Sequence, residues 1–193
     1  MLPRLGTSKV VSAWLSLTLV ASAANALDGG WLARWLALEP HRIFRGEVWR
    51  LVTWALIQDR LVVCGMTCLA IFKIGSDLSA SWGEARLRRY ALATIALGGI
   101  AVALVALVTG DGTVRVLGGL GVLDALGIAW LRQFPQGTLT WFGIEFRGPA
   151  RLTLVVGFNV LLALVFGFRD HAAELAICAA ALAYPRSTTP SRA

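Results

Sequence analysis

Few side chains in this 193-residue sequence could do chemistry in an apolar setting, and they gather in three places. Asp124 stands in a glycine-rich apolar run, and His171 and Glu174 open the last one, at i and i+3 and so on one face of a helix. Cys64 and Cys68 lie one helical turn apart, the spacing of a small metal site if other ligands came near. Buried thiols in a core are the simpler reading, for Cys178 as well, and no metal or other cofactor is expected. A charged group at bilayer depth costs at least about 2.5 kcal/mol and is usually paired. Asp124, His171 and Glu174 are therefore predicted to form a hydrogen-bonded polar cluster between helices, either a pair that fixes register or a site responsive to a ligand or a proton. The other histidine, His41, falls in a long loop, where a solvated or headgroup-facing role is expected.

Composition says which elements must position these groups. With 57% hydrophobic residues, 15% charged and a mean hydropathy of +0.70, the chain is neither a soluble domain nor a disordered one, since soluble domains average about a quarter charged residues. At about 20 residues per span the length allows at most about six or seven crossings. Six apolar runs are found, at about 10–26, 61–78, 90–108, 114–131, 152–168 and 172–184, with a short tail at 186–193. Lys73, Asp77, Arg115, Asp124 and Glu174 interrupt them, which is tolerable when neighbouring helices or an interface cover the charge. The expectation is an all-α polytopic bundle, a single membrane domain over 1–193.

The net charge of +7, from 18 Lys+Arg against 11 Asp+Glu, reads as a topology signal beside anionic lipid, not as nucleic-acid binding. With the amino terminus cytoplasmic, 11 of the 18 basic residues fall on that side, so both termini are expected there. Arg4, Lys9 and Ala24-Asn25-Ala26 also resemble a cleavable secretory signal, the alternative to an uncleaved first span.

Residues 27–60 form an unusually long and apolar first loop. Trp31, Leu32, Trp35, Leu36 and Leu38 recur at helical spacing around Arg34 and Glu39, which describes an amphipathic element in the headgroup region. Trp49, Leu51, Val52, Trp54 and Leu56 add a second aromatic-rich piece at a depth that Trp favours. The loop is expected to be membrane-embedded, either as an anchor or as a surface that helps to hold a client helix.

Several of these stretches resemble the rhomboid family of intramembrane serine proteases. Trp49-Arg50 looks like that family's first-loop motif, and Val63, Thr67 and Gly75 follow the spacing of its second span. Gly118-Gly119-Leu120-Gly121 is similar to the segment that carries the nucleophile, and the run opened by Asp170-His171 resembles the span with the catalytic histidine. The resemblance covers about residues 45–185 and implies a six-helix rhomboid-like bundle. It also implies a lost activity, because acyl transfer needs a nucleophile, a base and oxyanion donors. Leu120 stands at the nucleophile position, Val63 and Thr67 at the oxyanion positions, and only His171 remains of the reactive set. Glu174 and Cys178 stand where the family prefers glycine, so the fourth and sixth helices are expected to be pushed apart, while Gly98, Gly99, Gly118, Gly119, Gly121 and Gly127 keep close packing elsewhere.

Three functions follow as expectations. The first is a catalytically inactive, multi-pass rhomboid-like protein that binds or retains transmembrane segments of client proteins in the lipid bilayer. The second is an active serine endopeptidase with a misaligned nucleophile. The third is a transporter using Asp124, His171 and Glu174 as a proton relay.

Overall fold

The computed structural model describes residues 8–58, 60–118, 120–136, 139–141, 144–146, 150–168 and 171–185. Six longer helices make the bundle: α1 (Lys9–Leu27), α5 (Leu61–Trp82), α6 (Glu84–Thr109), α7 (Leu120–Gln133), α8 (Ala150–Phe166) and α9 (Ala172–Ala183). Between α1 and α5 come three short helices, α2 (Trp31–Leu36), α3 (Pro40–Ile43) and α4 (Arg50–Thr53), and a 3₁₀ turn at Trp54–Leu56. A hairpin of three-residue strands, β1 (Leu139–Trp141) and β2 (Ile144–Phe146), joins α7 to α8 with Thr140 opposite Glu145.

The fold is helical, as the apolar periodicity predicts, but the six-crossing count is not reached on length and composition. Three helices, α1, α5 and α6, are long and apolar enough to cross a membrane, and α8 and α9 are shorter apolar helices. At 1.5 Å per residue, the 14 residues of α7 reach only about 21 Å, against a hydrocarbon core of about 30 Å.

The fourth apolar run also begins later than its hydropathy suggests. Residues ahead of α7 run extended, because Val116 pairs with Leu38 of the first loop through two backbone hydrogen bonds, of 2.9 and 3.0 Å. Apolar composition alone cannot distinguish such a buried extended segment from the start of a helix. Gly118, at φ +32°, then turns the chain into α7, and a Cβ there would collide with the Ile57 carbonyl and the Gln58 amide. At the other end of the bundle Gly83, at φ +80°, reverses the chain between α5 and α6 in a single residue.

Asp28 and Asn25 organise the entry to the first loop. The Asp28 carboxylate accepts from the amides of Gly30 and Trp31 at 2.9 Å and of Leu32 at 3.1 Å. Asn25 Oδ1 accepts from Ala33 at 2.8 Å. Together these two side chains satisfy amides that the first turn of α2 leaves without intrahelical partners. Ala24-Asn25-Ala26, the stretch that resembles a cleavage site, is thus the last turn of α1, with a capping role for Asn25.

The core forms where α9 lies against α6 and α7, with Leu87, Tyr90, Ile95, Val102, Val122, Leu126, Ile128, Ala173 and Ile177 buried together. Glycine sets the approach. A Cβ at Gly98 of α6 would lie 2.7 Å from Ile177, and one at Gly121 of α7 would lie 2.8 Å from the same side chain. The expectation that Glu174 and Cys178 force the fourth and sixth helices apart is therefore corrected, because glycines on α6 and α7 make room for Ile177 and keep the contact tight. Gly127 plays no such part, with nothing within 4 Å of a Cβ built there, and Gly119 lies outside the described residues.

Candidate functional site

Asp124, Glu174 and His171 lie near the junction of α7, α8 and α9, where Glu174 is within electrostatic reach of both of the others, and Asn159, which the sequence reading overlooked, lies beside them. Asp124 of α7 lies close enough to Asn159 of α8 and Glu174 of α9 for both to act on its carboxylate. Asn159 is 2% exposed, and its amide nitrogen also donates to the Val155 carbonyl at 3.0 Å. Glu174 sits in the first turn of α9, where a carboxylate is favoured by the helix dipole. His171 occupies the cap position just before that helix and adjoins Glu174 electrostatically. Cys178, one turn further on, is buried and feels both acids.

This seam is incompletely satisfied. Asp124 Oδ2, Asn159 Oδ1 and Glu174 Oε2 are all buried without a hydrogen-bond partner among the described residues. All three are acceptors when the acids are ionised, so what would complete the seam is a donor or a cation. Asn159 had a readable signal: it is the lone polar side chain between Thr153 and Arg169. An amide isolated in an apolar run demands a partner as strongly as a charge draws attention.

Edge packing sets α8 apart. Its substantial helix contacts are with α7 and α9, and it exposes Phe158, Val160, Leu161, Leu164 and Val165 to the outside. The seam's polar groups therefore lie just behind a helix at the edge of the bundle.

The positions matched to protease chemistry lie on α5 and at the starts of α7 and α9. Leu120 opens α7, and its side chain lies outside the described residues. Val63 and Thr67 share a face of α5; Thr67 is fully buried, and its hydroxyl has no partner among the described residues. Cys64 and Cys68 are free thiols on α5, and among the described residues no group of three or more His, Cys, Asp or Glu is placed to hold a metal.

The first loop is built around Arg50. Its side chain is fully buried and donates three hydrogen bonds of 2.6 Å, to the Glu47 carboxylate and to the carbonyls of Ala37 and Arg34 at the end of α2. Helix C-termini present carbonyls without intrahelical partners and a negative dipole end, so a guanidinium fork fits there. Trp49 donates its indole N–H to the Trp35 carbonyl at 3.2 Å. Trp31, Trp35 and Trp49 stay exposed on this platform, whereas Trp54 is fully buried against the core. The expectation that Trp54 lies at headgroup depth with the others is thereby corrected: the 3₁₀ turn points it inward, next to Gly121. His41 is exposed, as expected of a solvated loop histidine, with Nδ1 3.2 Å from the Gly112 carbonyl.

At the opposite end of the bundle, basic residues hold helix ends together. Arg132 donates to the carbonyls of Ala181 and Tyr184, and buried Arg151 donates to Pro135 at 2.6 Å. Arg86 lies over the rings of Trp82 and Tyr184, which line a shallow pocket with Tyr90 and Gln133. Arg86, Arg132 and Arg151 are thus engaged with carbonyls or rings of the chain itself.

No curated protein matches the sequence significantly. A family model does match, over residues 8–185, and it is described as a eukaryotic integral membrane protein family. That finding overturns the identification with the rhomboid proteases. The stretches that suggested it, a Trp-Arg pair and glycine-rich helices, are features that anchoring and tight packing require of many membrane bundles, while the residues that would be diagnostic are replaced by Leu120, Val63 and Thr67. The chain belongs to the family described as "Eukaryotic integral membrane protein (DUF1751)", and it is an integral membrane protein.

Proposed function

We propose that this protein binds membrane-spanning segments of other proteins, at the seam behind α8. The observation that carries the reading is the set of three buried acceptor oxygens, on Asp124, Asn159 and Glu174, that the bundle's described residues leave without partners. Polar groups held at bilayer depth without a partner mark functional positions by default. Their place behind an edge helix suits an occupant that arrives laterally within the bilayer.

In this reading all six longer helices cross the membrane, the shorter ones with the help of flanking residues and locally thinned lipid. Both termini face the cytoplasm, where Lys9, Arg86, Arg132 and Arg151 gather at one end of the bundle. The Trp31, Trp35 and Trp49 platform anchors the other end at the headgroups.

A photoreactive residue at Val160, exposed beside Asn159, should crosslink designed transmembrane peptides in reconstituted vesicles. The same probe at Val20, exposed on α1, serves as the comparison. Adducts concentrated at position 160 are the expected result; equal yields at both positions would reduce the contact to random collision and defeat the proposal.

A further inference from the structure

We infer that the segment bound at this seam carries a basic side chain, a lysine or an arginine, at mid-membrane depth; this rests on the seam being a docking site. Charge complementarity supports it. Two carboxyl groups from different helices, Asp124 and Glu174, face one another's field within an apolar bundle. A second observation concerns α8: Asn159 is 2% exposed, lies close enough to Asp124 to act on it, and carries a carbonyl oxygen without a partner among the described residues.

Among the described residues of α7 and α8, the basic side chains are committed elsewhere. Arg132 lies eight residues from Asp124 and Arg151 eight residues from Asn159, each about 12 Å along its helix, where both are bonded to backbone carbonyls. His171 stands beside Glu174 at the start of α9 and supplies at most one positive charge to a pair of acids. An ammonium or guanidinium offers only donors, three for Lys and five for Arg, which is the complement of the unpartnered oxygens of Asp124, Asn159 and Glu174. An incoming apolar helix would satisfy none of them, and an acidic one would add repulsion.

The test uses the full chain in vesicles with three labelled leucine-alanine transmembrane peptides that differ at one central residue: leucine, lysine or glutamate. Association is read by energy transfer to an acceptor on the carboxy-terminal tail, with wild type and the isosteric variant Asp124→Asn/Glu174→Gln. Preferential binding of the lysine peptide, about tenfold weakened in the variant, is the expected result. Equal binding of the three peptides by wild type would leave the docking function standing and overturn the basic-residue inference. No binding of any peptide would overturn the docking function as well. Undiminished binding of the lysine peptide by a folded variant would also overturn the inference, and the peptide series on wild type decides the matter even if the variant fails to fold.

Discussion

Replacing Arg50 by alanine should lower the stability of the detergent-solubilised protein by about 3 kcal/mol, measured as the unfolding free energy in mixed micelles. The guanidinium is fully buried and makes three short hydrogen bonds, so its removal strands the carbonyls of Arg34 and Ala37 and loosens Glu47. Two of those carbonyls end α2, and the released helix should free Trp31, Trp35 and Trp49 from their common platform. Arg50→Lys should recover only part of the loss, because an ammonium cannot span three acceptors with a planar fork. A variant as stable as wild type would show that the first loop is held by its apolar contacts alone.

The second large effect is expected at Gly99. A Cβ there would lie 2.8 Å from the Leu51 carbonyl oxygen and 3.1 Å from the Leu51 Cα, both backbone atoms of α4. Backbone can yield only by moving the whole first-loop helix, so Gly99→Ala should cost about 1–3 kcal/mol, toward the upper end of overpacking effects. Gly98→Ala meets the Ile177 side chain, which can change rotamer, and should cost less. Pairing Gly98→Ala with Ile177→Val should restore part of that loss, whereas no side-chain change at Leu51 should rescue Gly99→Ala. Equal effects at the two glycines in thermal unfolding would contradict this placement of α4 on α6.

These contacts also show what could be read in the sequence. The long apolar runs could, because a helix in lipid must satisfy its own backbone and advertises itself by length and hydropathy. Val114 to Leu117 could not, since its extended path depends on pairing with Leu38, a partner 78 residues away from Val116. Asp124 and Glu174 drew attention as charges, but their completion by Asn159 depends on how α8 packs, which no local pattern specifies. Arg50 was noticed as half of a Trp-Arg pair, and that pair suggested the rhomboid proteases, an identification that the matching family model does not support. Its role follows instead from ordinary physics, a guanidinium meeting the carbonyl end of a short helix. The family resemblance misled for the same reason that the helices were legible: small residues, interfacial Trp and capped ends are what any compact membrane bundle uses.

The central claim is that the Asp124, Asn159 and Glu174 oxygens are kept for an occupant the bundle does not contain, and not to hold its helices together. Groups retained for binding at the expense of packing are replaced by apolar residues without loss of stability. The most direct measurement is the thermal unfolding midpoint of Asp124→Leu/Asn159→Leu in detergent micelles, compared with wild type. The account predicts a midpoint equal to or above that of wild type; a fall of many degrees would mean that the seam is a structural network and would contradict it.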